Sequence, residues 1–148
     1  MPNQRHSVGE PERRLRLADV RVASQGGRCT VDVTLERQRG RPIVSRISDE
    51  DSERGVAHAA AYAAAAALGE AIGAGPDAFE ILEVKKIGVF DMPGIIVAIA
   101  VRGGAQPLKV VGFGLLEGDK AALASVIAVL HGTNRYVSQF LTKRGTQE

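Results

Sequence analysis

The stretch FEILEVKK, Phe79 to Lys86, restates an earlier one, LRLADVRV, Leu15 to Val22. Sliding the chain by 64 positions sets Leu15 on Phe79, Leu17 on Ile81, Asp19 on Glu83, Val20 on Val84 and Arg21 on Lys85. The same shift sets Val31, Val33 and Leu35 on Ile95, Val97 and Ile99. Polar and apolar positions agree across two separated segments, which is the signature of an internal duplication.

Each copy reads as three strands and a helix. Val31, Val33 and Leu35 alternate with Asp32, Thr34 and Glu36, a strand with one buried and one wet face. IVSRIS, Ile43 to Ser48, and LKVVGFGLL, Leu108 to Leu116, supply the third strands after the turns RGRP and RGGAQP. DEDSER then offers capping residues to the Ala-rich run GVAHAAAYAAAAALG, Gly55 to Gly69, which stops at GAGP. A second helix is predicted from Asp119 to about Leu141, with Leu123, Ile127, Leu130, Val137 and Leu141 as its apolar stripe and His131 and Arg135 off it. The fold class is therefore α+β: two βββα units, about 13–75 and 77–142, form one duplicated domain between tails at 1–12 and 143–148.

Two features predict self-association. The Ala-rich helix holds no Lys, Arg, Asp or Glu between Gly55 and Gly69, and a helix without a charged face is covered all round. The middle strand of the second unit carries Ile96, Ala98 and Ala100 where the first has Asp32, Thr34 and Glu36, so both its faces call for cover. A homo-oligomer, at least a dimer, is expected through this helix and the second sheet.

The chain of 148 residues, 45% apolar and 24% charged, suits one globular domain. Its net charge of +2 is concentrated at Arg5, Arg13, Arg14, Arg16, Lys143 and Arg144, and 4% aromatics leave few stacking platforms, which argues against nucleic acid as partner. The opening residues lack the apolar core of a secretory signal, the Ala run is too short and weakly apolar for a membrane span, and Cys29 stands alone. A reducing cytoplasm is the expected compartment.

The stretch GFGLLEGDKAALASVIAVLHGTNR, Gly112 to Arg135, resembles the C-terminal regulatory domain of 2-isopropylmalate synthase and citramalate synthase. Gly112 and Gly114, Asp119, Ala124 and Ser125, Ala128, Leu130, Asn134 and Arg135 occupy the places of that family's motif. The resemblance implies a duplicated βββα fold that dimerises and holds an amino acid or related effector at the interface. The sequence departs from the pattern in a longer loop between Gly114 and Asp119, in Val129 where the family often has an aromatic residue, and in lacking the synthase barrel.

The candidate ligand-binding residues are His58, Tyr62, Gly112, Gly114, Asp119, Ser125, His131, Asn134 and Arg135. His58 and Tyr62 lie one helical turn apart on a surface otherwise built of small side chains. Glycines flanking Phe113 mark a strand approached closely by backbone or by ligand. His131 and Arg135 could hold a carboxylate, or form a surface pair. No cofactor is implied, because neither a third glycine nor a Lys-Ser/Thr pair follows Gly114 at the required spacing, and His6, His58 and His131 are too sparse for a zinc site evident from sequence. Asp19 and Glu83, each flanked by a cation, read as solvated strand positions, and Cys29 has no sequence partner for nucleophilic or metal chemistry. Three functions follow: a stand-alone small-molecule-binding or regulatory module, a small enzyme with its site at the subunit interface in which His58, Tyr62, His131 and Arg135 converge, or a structural assembly partner without a pocket.

Overall fold

The computed structural model describes residues 15–102, 106 and 108–147 of the chain. The expected tail at 1–12 and part of the RGGAQP turn lie outside these. Along the chain come β1 (Leu15–Gln25), β2 (Arg28–Arg37), β3 (Ile43–Glu50), α1 (Glu53–Ala71), β4 (Phe79–Val89), β5 (Met92–Val101), β6 (Leu108–Leu115) and α2 (Ala121–Gln147). The protein is α+β, with two three-stranded antiparallel sheets, β1-β2-β3 and β4-β5-β6, each followed by a helix.

The duplication is visible in the hydrogen-bond register. Leu15 pairs with Arg37 and Phe79 with Val101, the second pair standing 64 positions after the first at both members. Both first strands carry a register shift at the same place, between Leu17 and Asp19 and between Ile81 and Glu83. The extra residue at such a bulge leaves the ladder unpaired and bends the strand. Here it is Ala18 in one unit and Leu82 in the other.

The alternation read from β2 is realised, with Val31, Val33 and Leu35 fully buried. On the outward face of that sheet Arg46 holds Asp32 through two hydrogen bonds, at 2.7 and 3.0 Å, and Arg16 pairs with Glu36. Asp19 accepts from Arg21 at 2.6 Å, a solvated ion pair. The outward face of the second sheet differs. Ile96, Ala98 and Ala100 stand in register with Phe113, Val111 and Lys109, and Val111 and Leu115 are exposed.

Ser52 caps α1, its hydroxyl accepting from the Gly55 N–H at 3.0 Å while its carbonyl takes the Val56 N–H. Gly73 and Gly75 both adopt positive φ just beyond the last turn, which is how the GAGP segment ends the helix. The helix is covered, but by its own chain. Ala57, Ala59, Ala60, Ala61, Ala63 and Ala64 are buried between β2 and β3 of the same unit, β4 of the other and α2. Leu68 and Ile72 add the large side chains, each worth about 1.5–3 kcal/mol of burial. The expectation that a partner subunit covers α1 is thereby corrected. In a duplicated fold the other unit lies over the helix, and alanine lets it come close.

Beyond its first turn, α1 reaches the surface chiefly along one row, that of Arg54, His58, Tyr62, Ala66 and Glu70, spaced by four. The helix α2 also differs from expectation. It continues to Gln147, so 143–147 are helical rather than a tail. Its buried face is built of Ala121, Ala124, Ser125, Ala128 and Val129 more than of the large residues, and Ile127 is 41% exposed. Val137 and Leu141 are buried as the stripe requires, but nearer the start of the helix the spacing of large aliphatics misplaces it, because the closest helix and strand contacts there use the small residues.

Candidate functional site

The Gly112 and Gly114 pair of β6 serves close packing. A Cβ on Gly112 would stand 1.7 Å from the Ala128 carbonyl oxygen, and one on Gly114 would stand 2.1 Å from that of Ala124. On the helix side, a Cβ on Gly132 would meet the backbone of Gly112 at 2.8 Å. Strand and helix backbones thus touch, leaving no room for a ligand between them. Ser125 belongs to the same logic: fully buried, it donates to the Ala57 carbonyl oxygen at 2.7 Å and joins the two helices.

The remaining candidates are dispersed. His131 is exposed and its Nδ1 accepts the Phe113 N–H at 3.3 Å, which occupies the free edge of β6. Arg135 is exposed on the same row of α2. Asn134 borders a hollow with Leu15, Leu68 and Val137. Tyr62 opens, 46% exposed, onto a groove with Ile47, Phe79 and Arg102. His58 lines a different cavity, so His58, Tyr62, His131 and Arg135 do not converge within the chain.

Asp119 alone leads to a large opening. A cavity of about 840 Å³ lies between β1 and the N-terminal turns of both helices. Its apolar wall is Leu17, Val20, Val22, Val56 and Leu123, with Ala18 of the bulge at one side. Asp19, Asp51, Glu53 and Asp119 stand at its polar margin with Ser52 and Lys120. Three of the acids already have partners: Asp19 in Arg21, Asp51 in the Ser24 hydroxyl at 3.1 Å, and Glu53 in Lys86 at 3.0 Å. Lys120, immediately before α2, brings an ammonium and no side-chain acceptor to the first-turn N–H groups, which point outward as at any helix start.

The duplication explains why this opening exists. In each unit the helix of the other lies beside the first strand. At β4 that contact is tight, with Phe79 and Ile81 buried, and α1 leaves a space of about 350 Å³. At β1 the corresponding Leu15 and Leu17 are only partly covered, because α2 stands farther off. One seam is closed and its counterpart is open. A sequence signal did exist: the wide cavity has Val22 and Ala122 where the narrow one has the longer Lys86 and His58.

Set beside known proteins, the chain matches no family model and no curated protein sequence. No helix among the described residues is long and apolar enough to cross a membrane.

Proposed function

We propose that this protein is a small-molecule-binding, regulatory module whose ligand, an amino acid or small carboxylate, occupies the open seam between β1 and α2. The unequal seams carry the reading: two units of one ancestry narrow one cavity to about 350 Å³ and keep the other at about 840 Å³, in the upper part of the range of ligand sites. The wall and margin suit an amphipathic ligand. Leu17, Val22 and Leu123 take an aliphatic side chain, Asp119 takes an ammonium, and Lys120 with the first-turn N–H groups of α2 takes a carboxylate. An effector of this class is also what the likeness to the 2-isopropylmalate synthase regulatory domain implies.

The module assembles as a homodimer through the outward face of the second sheet. That face keeps an ion pair at its end, Glu80 with Arg102, but where its counterpart has Asp32 held by Arg46 its centre presents Ile96, Ala98 and Val111, with Leu115 beyond. An apolar self-complementary surface is what a two-fold interface requires. With α1 already enclosed, the sheet is the surface left to associate. Light scattering at micromolar concentration tests the assembly, and a monomer there removes it.

The ligand is tested by thermal shift against amino acids and small carboxylates, using the chain and its Ala18→Phe variant. Ala18 is exposed at the cavity, so the larger side chain fills the site without disturbing the core. A stabilising ligand whose effect vanishes in Ala18→Phe supports the reading. Flat curves for every compound, or an effect that Ala18→Phe leaves intact, refute it.

A further inference from the structure

The two seams differ in chemistry as well as width. To the open cavity β1 contributes Val20 and Val22, and 64 positions on β4 contributes Val84 and Lys86 to the closed one. The first turn of α2 offers Ala121, Ala122 and Leu123, whereas that of α1 offers Glu53 and Arg54, with His58 one turn further. Apolar lining in one seam is thus polar lining in the other.

The polar groups of the closed seam are not equally committed. Lys86 is held by Glu53 at 3.0 Å. Lys85 and Glu83 pair in register with Ile96 and Ala98, on the outward side of β4, where their opposite charges offset each other. Arg54 and His58 remain, successive members of one helical row. The Nε2 atom of His58 is buried without a hydrogen-bond partner among the described residues. Such a group in a native protein calls for an explanation.

We propose that the closed seam is a second binding site, separate from the open one, for a small oxyanion held between the Arg54 guanidinium and His58 Nε2–H. An oxyanion supplies what both groups lack: an acceptor for the buried ring N–H, and two oxygens for the guanidinium fork. With Glu53 neutralised by Lys86, Arg54 gives the inner side of the cavity a net positive charge. The volume of about 350 Å³ admits a phosphate or carboxylate group together with waters of hydration. Glu53 borders both cavities, but neither Arg54 nor His58 lines the open one, so the proposal stands without a ligand there.

The test is an NMR titration of the full chain with inorganic phosphate and, in a second arm, with acetate, following the His58 ring resonances at fixed pH and ionic strength. A saturable shift that is weakened about tenfold in Arg54→Gln, as loss of a charge-assisted bond implies, supports the proposal. Response to phosphate alone assigns the site to phosphate, and response to both assigns it to oxyanions in general. Arg54 is exposed, so its replacement leaves the fold intact. His58 resonances that ignore both anions, or that shift equally in Arg54→Gln, overturn it.

Discussion

Ser125 on α2 donates its hydroxyl hydrogen to the carbonyl oxygen of Ala57 on α1 at 2.7 Å, and this buried bond ties one repeat to the other. Ser125→Ala removes it without adding bulk. Urea unfolding should show a loss of about 1 kcal/mol, and an unchanged midpoint would mean that the helices are held by packing alone.

The glycines of β6 set the distance between strand and helix. Gly112→Ala drives a Cβ into the Ala128 carbonyl, so a cost of about 1–3 kcal/mol or more is expected. Gly88→Ala is the control, having open space around its Cβ and ordinary φ, and should fall within about 0.5 kcal/mol of the parent. Equal behaviour of the two variants would contradict the close approach.

Enclosure of α1 within the chain separates two kinds of alanine. Ala64 is 0% exposed, and Ala64→Arg should abolish cooperative unfolding altogether by burying a charge without a partner. Tyr62→Ala, on the exposed row, should leave a folded protein. Circular dichroism melts distinguish these outcomes, and a stable Ala64→Arg protein would place that face in solvent.

Asp32 gives a pH signature. The hydrogen bonds from Arg46, ahead of the opposing effect of burial, hold its carboxyl below the ordinary range. A lowered carboxyl pKa contributes stability that is complete above the unfolded value, about 3.9, and fades as pH falls through the folded one. Asp32→Asn should therefore be mildly destabilising at pH 7 and neutral near pH 2, the effect being small because the pair lies at the surface. A cost that does not change between the two would show that the ion pair is not its source.

Much of the fold is legible in the sequence. The repeat at 64 positions, the alternation of Val31, Val33 and Leu35, and the cap at Ser52 all follow from local periodicity and turn chemistry. What covers α1 is not legible, because an uncharged helix face is equally well hidden by a partner subunit or by a duplicated half. The glycines at 112 and 114 were open to both a pocket and a close contact, and only the position of Ala128 decides between them. The open seam depends on how far α2 stands from Leu17 and Val22, a distance that no spacing along the chain encodes. Its trace, Val22 and Ala122 against Lys86 and His58, has meaning only once the two units are known to occupy equivalent places.

The central claim is a ligand in the open seam, and chemical-shift mapping of the backbone amides tests it most directly. Addition of the compound that stabilises the chain most in a screen of amino acids and small carboxylates should move Ala18, Val22, Ala122 and Leu123, residues that border the cavity. Lys86 and His58 of the closed seam, which correspond to Val22 and Ala122, should stay in place. Shifts absent from the first set, or confined to the second sheet and the outer row of α1, would contradict the account.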